Sequence, residues 1–150
     1  MAWRLTYYRA TGAALLVPYF CTLLADVSGD LGHPEESLQA LAEAYTLVEQ
    51  QELHYWEAEV CRLRGVLLLR QTGTPPAEAE AWLQRALDVA RRQEAKALEL
   101  RAAMSLSRLW QQQGKPAAAR ALLAPIYGWF TEGFDTADLQ EAKTLLEELA

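Results

Sequence analysis

The chain has 150 residues, 51% of them hydrophobic, and a formal net charge of −6. This length predicts one domain, residues 1–150, and so apolar a composition excludes a disordered chain. The negative charge argues against nucleic acid as a partner, because the phosphate backbone would be repelled. No apolar stretch approaches the length of about 18 residues that a membrane span requires. We therefore expect no membrane partner, and two cysteines among apolar residues, Cys21 and Cys61, predict reduced thiols and a cytoplasmic protein.

Proline, glycine and acidic residues divide the chain into helices. Proline suits the first turn of a helix, where its missing N–H is not needed, and Pro34, Pro76 and Pro116 each closely follow a glycine. Asp135 opens a capping sequence for a last helix. Alanine and leucine dominate the apolar residues, which recur at steps of three and four, and the predicted fold class is all-α. The predicted helices are 13–30, 34–51, 54–72, 76–94, 96–113, 116–131 and 135–149, preceded at 1–12 by the end of another helix.

The helix breaks recur at a fixed interval, which is typical of a repeat protein. Gly32, Gly73 and Gly114 are separated by 41 residues in each case. The helix after each glycine carries a small residue, a large one four positions later, and a third core residue three positions after that. These triplets are Ser37, Leu41 and Ala44; Ala79, Leu83 and Ala86; and Ala119, Leu123 and Ile126. Because small residues let two helices approach closely, the pattern predicts closely packed helix pairs.

The pattern resembles the tetratricopeptide repeat family. Leu106, Ser107 and Trp110 stand where that motif has Leu, Gly and Tyr, and Gly65 has the Gly position of the preceding repeat. The resemblance implies an antiparallel helix-pair solenoid with about three repeats and a C-terminal capping helix. The implied units are repeats at 13–51, 54–94 and 96–131 and a capping helix at 135–149.

The period of 41 residues is longer than the common period of about 34. In this respect, and in the segment from Leu122 to Asp135, the chain is similar to the extended repeats at the C-termini of large bacterial signalling ATPases, including those fused to nucleotide cyclase domains. The resemblance implies a non-catalytic protein-interaction or scaffolding module, a fragment of a larger bacterial regulatory protein. An alternative is a regulatory segment that packs on the ATPase or cyclase domain of its own parent chain.

No sequence pattern indicates catalysis, a cofactor or a metal site. The chain lacks a glycine-rich phosphate loop, and His33 and His54 have no neighbouring ligand at the spacing that a metal site requires. Cys21 and Cys61 are too few for zinc. Equivalent positions on stacked helices lie about 8–10 Å apart, farther than a disulfide spans, so both thiols are predicted to stay buried and unbridged. We expect neither an enzyme nor a cofactor.

In the family that the chain resembles, the first helix of each pair lines a concave groove. The matching positions here are Tyr19, Thr22, Asp26, Glu59, Arg62, Val66, Leu69, Arg70, Arg101, Met104, Arg108, Gln111 and Gln112. Four of these are arginines and two are acidic, and the planar guanidinium suits carboxylates. We therefore expect the groove to bind an acidic segment of a protein or peptide. The alternative is a solvated face with helical ion pairs, such as Glu59 with Arg62.

The two ends of the chain differ in pattern. The last predicted helix has leucines on one side and charged residues on the other, as a terminal cover with a polar outer face requires. Near the start, Trp3, Leu5, Tyr7 and Tyr8 resemble the end of a second helix whose partner helix is absent. Such an uncovered apolar edge favours association, and we expect a homodimer through residues 1–31.

The tryptophans are predicted to pack in the protein rather than to form a ligand pocket. Trp82 and Trp110 fall on or beside the apolar stripes of their helices, which favours the core. Trp129, Phe130 and Phe134 form a cluster that is predicted to pack against the last helix.

Overall fold

A computed structural model describes residues 34–50 and 54–150. Over these ranges the protein is helical and contains no β-strand, so the all-α class is confirmed for this part of the chain. None of the described helices is both long and apolar enough to cross a membrane. The helices are α1 (Pro34–Gln50), α2 (Glu57–Arg70), α3 (Pro76–Arg92), α4 (Lys96–Gln112), α5 (Pro116–Gly128) and α6 (Ala137–Glu148), and a 3₁₀ turn at His54–Trp56 precedes α2.

Several predictions concern residues outside the described ranges. They include the helices at 1–12 and 13–30, the break at Gly32, the thiol of Cys21, the groove positions Tyr19, Thr22 and Asp26, and the dimer edge at 1–31. These stay predictions, and the described residues supply the structural argument that follows.

The helix starts marked by proline agree with the prediction. α1, α3 and α5 begin at Pro34, Pro76 and Pro116, because the fixed backbone angle of proline fits the first helical turn. The helix predicted at 54–72 is divided instead: its first three residues form the 3₁₀ turn, and α2 ends at Arg70.

α5 is shorter than the sequence predicts. It ends at Gly128 rather than at residue 131. Beyond it, the N–H of Trp129 donates to the carbonyl of Ile126 at 3.3 Å, and that of Phe130 donates to Tyr127 at 3.1 Å. These bonds over three residues close the helix with a tight final turn, and the chain leaves the helix axis there.

α3 and α4 end with the same backbone geometry. Just past each helix, an N–H donates to the carbonyl five residues earlier, over 2.9 Å at Ala95 and 2.8 Å at Lys115. The residue before each donor is left-handed, with φ of 54° at Glu94 and 75° at Gly114. Glycine usually occupies this left-handed position after a helix, because it has no Cβ. After α3 the position is occupied by a glutamate.

Each helix packs on the next one along the chain, and alternate helices also meet. α2 contacts α4, and α4 contacts α6, so these three helices lie side by side. All nine residues of the three triplets are buried, in agreement with the sequence pattern. The largest apolar cluster joins residues of α2 through α6 into one core.

Two helix pairs approach closely at corresponding places. A Cβ added to Gly65 of α2 would lie only 2.7 Å from Cγ of Leu83 and 3.0 Å from the carbonyl oxygen of Ala79, both on α3. In the next pair, the buried hydroxyl of Ser107 on α4 donates to the carbonyl of Ala119 on α5 at 3.2 Å. Both pairs therefore bring one helix directly against the backbone of the other.

Trp82 and Trp110 both pack against the core, as predicted. The Trp82 ring meets Tyr45 of α1 edge to face with centroids 5.4 Å apart, and the guanidinium of Arg64 lies 4.2 Å from its centroid. The indole N–H of Trp110 donates to Glu80 Oε1 at 2.8 Å. Each ring therefore joins two or more helices through polar as well as apolar contacts.

The aromatic cluster after α5 does not pack as a whole against α6. Phe130 packs against the core, but Trp129 is 58% exposed and Phe134 is 46% exposed. Both rings follow the end of α5 at Gly128, so they lie outside that helix and are only partly covered.

Candidate functional site

Six charged side chains link the neighbouring surfaces of α2, α4 and α6, and we call them the arginine face. They are Glu59 and Arg62 on α2, Arg101 and Arg108 on α4, and Asp138 and Glu141 on α6. Four of them belong to the predicted groove. The two on α6 were not among its predicted positions.

The first ion pair lies within α2. Nε of Arg62 donates to Oε2 of Glu59 at 3.0 Å, and Nη2 donates to Oε1 at 2.7 Å, a two-point contact between the planar fork and the carboxylate. Nη1 of the same arginine lies 3.4 Å from the Ser105 hydroxyl on α4. Both charged groups are largely shielded from water, so this pair is part of the contact between α2 and α4.

Arg101 connects all three helices of the face. Its Nε donates to Oδ2 of Asp138 on α6 at 2.7 Å, and its Nη1 lies 3.5 Å from Oε1 of Glu59 on α2. One side chain of α4 therefore reaches a carboxylate on each neighbouring helix. The side chain remains 44% exposed, so water still reaches the guanidinium.

Arg108 makes the second link between α4 and α6. Its Nη2 donates to Oε1 of Glu141, and its side chain is 40% exposed. Exposed pairs of this kind contribute about 0–1 kcal/mol each, because water and salt compete for the same groups. The carboxylates of α6 therefore hold the arginines of α4 only weakly.

The other described groove positions differ in exposure. Val66 is partly buried against the core, and Leu69, Arg70 and Gln112 are exposed, with Gln111 intermediate. Met104 is 3% exposed and belongs to the core, because α4 is flanked there by both α2 and α6. It offers almost no surface to a partner.

Sequence reasoning did not find the α6 carboxylates. Arg101 and Asp138 are 37 residues apart, and Arg108 and Glu141 are 33 apart, so no local pattern pairs them. The signal that was available is the acidic spacing of three on the last helix, which places two carboxylates on one side of it. With them the face holds three arginines and three carboxylates and is balanced in charge, within a chain of net charge −6.

Two ionisable groups near α2, Cys61 and Tyr45, are held in their protonated forms at neutral pH. Burial raises the pKa of the Cys61 thiol to about 12, so this free cysteine is not a thiolate at neutral pH. Burial and a hydrogen bond with Glu49 raise the pKa of Tyr45 to about 12. Among the described residues, no group of three or more His, Cys, Asp or Glu side chains is arranged to hold a metal ion.

A second polar region lies where α1, the 3₁₀ turn and α3 meet. Oε1 of Glu57 lies 3.4 Å from Nη2 of Arg85, and its Oε2 lies 3.4 Å from Nδ1 of His54. They line an open groove of about 580 Å³ together with Glu49 and Arg92. Acidic and basic side chains both line this groove.

Comparisons with models of known protein families, with curated proteins and with solved structures found no match to this chain. The contacts between its own helices, and the arginine face that they create, therefore carry the functional proposal.

Proposed function

We propose that the chain is a tetratricopeptide-like module that binds another protein and catalyses no reaction. The side-by-side arrangement of α2, α4 and α6 supports this, because a stack of helix pairs presents its first helices on one surface. The close approaches at Gly65 and Ser107 support it further, since they recur at the position where the repeat motif has glycine. The similarity to repeats of bacterial signalling ATPases favours a place within a larger regulatory protein.

The partner surface is the arginine face, and the ligand is an acidic protein segment. The observation that carries this proposal is the state of Arg101 and Arg108, which are half-exposed and held by weak ion pairs to α6. A guanidinium has five N–H donors, and the contact of Arg108 with Glu141 uses one of its nitrogens. A carboxylate of a partner can therefore add to these arginines or replace an α6 carboxylate at little cost.

The spacing of the two arginines defines the ligand further. They are seven residues apart on α4, or about 10 Å along the helix axis. An extended peptide in the polyproline II conformation advances about 3.1 Å per residue with three residues per turn, so two acidic residues three positions apart lie on the same side and about 9 Å apart, close to this separation. The best ligand is therefore an extended segment with paired acidic residues at that spacing.

A binding measurement with a designed peptide tests the proposal. The probe is a fluorescein-labelled ten-residue peptide with two glutamates three positions apart, and its control has glutamines in their place. We expect fluorescence anisotropy to show binding of the glutamate peptide. The double variant Arg101→Gln and Arg108→Gln is expected to reduce its affinity by about tenfold, since two exposed ion pairs are lost and each contributes up to about 1 kcal/mol.

A matched variant separates specific binding from general attraction. Lys115→Gln and Lys143→Gln remove the same amount of charge at two exposed positions outside the arginine face, and we expect them to leave the affinity within about twofold. Circular dichroism verifies that each variant is folded. Equal affinity of the wild type for both peptides, or equal losses in the two double variants, refutes the acidic partner.

A further inference from the structure

The segment after α5 exposes aromatic rings in a defined arrangement, and we call it the aromatic turn. It consists of Trp129, Phe130, Glu132, Phe134 and Asp135, together with Tyr127 in the last turn of α5. The rings pair in two places, Trp129 with Phe130 at 5.2 Å between centroids and Tyr127 with Phe134 at 6.0 Å. One ring of each pair packs against the core, and the other is about half exposed or more. Exposed aromatic clusters of this kind mark binding surfaces.

The backbone of the aromatic turn is fixed by its own hydrogen bonds. Gly133 is left-handed, with φ of 77°. The N–H of Thr136 donates to the Gly133 carbonyl at 2.9 Å, and its hydroxyl donates to the same oxygen at 2.6 Å. A surface that is ordered before binding loses less conformational entropy when a partner arrives, so these rings are presented in a form suited to recognition.

The charges beside these rings differ from those of the arginine face. Glu132 and Asp135 are both exposed, and within the described part of the chain neither makes an ion pair or a side-chain hydrogen bond. Three residues further on, Asp138 is bound to Arg101. The turn therefore has two uncompensated carboxylates next to two exposed rings.

One cation of the chain already lies beside these rings. The ammonium of Lys96, at the start of α4, lies 5.5 Å from the centroid of the Trp129 ring. This is the distance range of a cation–π interaction, in which the negative face of the ring attracts the cation. A cation of this chain thus already contacts one side of the cluster.

We infer that the aromatic turn binds a basic segment of a partner protein, with lysine or arginine side chains placed on Trp129 and Phe134 and paired with Glu132 and Asp135. Rings attract cations by their faces, the carboxylates attract them by charge, and the net charge of −6 draws a basic segment to the protein from a distance. This surface takes a ligand of opposite charge to that of the arginine face, and its binding does not depend on the proposed function.

Two double variants of the full chain test the inference. The probe is a fluorescein-labelled ten-residue peptide of four arginines separated by serine and glycine. We expect the wild type to bind it, and we expect Trp129→Ala with Phe134→Ala to weaken binding about fivefold or more. Glu132→Gln with Asp135→Asn is expected to weaken binding to a similar extent. These carboxamides have the same shape as the carboxylates and are exposed, so the fold is preserved.

Matched control variants distinguish binding at the aromatic turn from attraction of the arginine peptide by the net negative charge of the protein. Tyr55→Ala removes a ring that is 73% exposed at another site, and Glu147→Gln with Glu148→Gln removes two exposed carboxylates of α6. We expect both to bind the arginine peptide within about twofold of the wild type. Losses in the controls as large as those in the turn variants, or absence of binding by the wild type, overturn the inference.

Sedimentation analysis distinguishes a second copy of the chain from a basic partner. If the wild type is a dimer at micromolar concentration and Trp129→Ala with Phe134→Ala is a monomer, the rings contact another copy, and the basic segment is refuted. If the oligomeric state of the two is the same while the affinity for the arginine peptide falls, the basic segment is supported.

Discussion

In the pair α2–α3 and in the pair α4–α5, one helix lies directly against the backbone of the other, but the residue at this contact differs. Where the helices approach, α2 has Gly65 and no side chain, whereas α4 has Ser107, whose hydroxyl bonds to the facing backbone. The left-handed residue that follows a helix is likewise Glu94 after α3 and Gly114 after α4. In both cases a geometry recurs along the chain with a different residue.

The largest effect is expected from filling the close approach in the first pair. In Gly65→Ala the new Cβ would lie 2.7 Å from Leu83 Cγ and 3.0 Å from the Ala79 carbonyl oxygen, so the helices must separate. We expect a loss of about 2 kcal/mol in the free energy of unfolding, although alanine favours a helix more than glycine. Urea unfolding measures it, and an alanine variant as stable as the wild type would show that the two helices are not in this contact.

The ion pairs that Glu99 makes between α3 and α4 are expected to make the stability of the protein depend on pH. Burial favours a raised pKa for Glu99, but the hydrogen bonds from Lys96 and Arg91 prevail and hold the pKa below its ordinary value of 4.5. A carboxyl with a lowered pKa in the folded state stabilises the protein above its unfolded pKa, and this contribution is lost as the pH falls through the folded pKa.

The variant Glu99→Gln removes that titration. We expect it to be about 1–2 kcal/mol less stable than the wild type at pH 7. The difference should shrink as the pH falls below 4.5, because the carboxyl is protonated first in the unfolded wild type and, at still lower pH, in the folded protein. Thermal unfolding of both proteins at a series of pH values measures the difference, and a gap that is constant from pH 7 to pH 3 contradicts the assigned role of the ion pairs.

A smaller effect is expected at the close approach of the second pair. Ser107→Ala keeps a small side chain but removes the hydrogen bond to the Ala119 carbonyl, and a buried bond of this kind is worth about 1 kcal/mol. The reciprocal change, Ser107→Gly, tests whether the two pairs are interchangeable. It should cost more than Ser107→Ala, because glycine also lowers helix propensity. Denaturant titrations of the three proteins measure their free energies of unfolding. A glycine variant more stable than the alanine variant would contradict the expected order.

The smallest effect is a gain. Glu94 has φ of 54°, a conformation that costs a residue with a side chain more than it costs glycine. Glu94→Gly gives α3 the ending that α4 already has with Gly114, and we expect stability to rise by about 0.5 kcal/mol. Differential scanning calorimetry should show a slightly higher Tm. A decrease in Tm would mean that the glutamate side chain makes a contribution that outweighs its backbone strain.

The helix starts and the core were predictable, because their causes are local. Pro76 and Pro116 fix the first turn of α3 and α5 wherever the rest of the chain goes. The triplets are buried because their spacing places them on one side of a helix. The repeat period and the proline positions therefore predict where these helices begin and which triplet residues face inward.

The candidate site was less predictable, because its contacts join distant residues. The groove positions Arg101 and Arg108 were predicted from the family resemblance, but their carboxylate partners come from a helix more than 30 residues away. Met104 is buried because α4 has a neighbour on both sides. The exposure of Trp129 follows from a helix that ends three residues early. Each of these depends on how helices are placed in space, which the hydrophobic pattern does not specify.

Arg101 has a mechanical consequence. It touches Glu59 on one neighbouring helix and Asp138 on the other, so a displacement of α6 reaches α2 through one side chain without passing along α3 and α5. The strength of this cross-link depends on salt. Ions at 0.1 M screen exposed charges beyond about 10 Å, and at shorter range they compete for the same charged groups. The row of three helices should therefore be stiffer in dilute buffer and bend more easily as ionic strength rises.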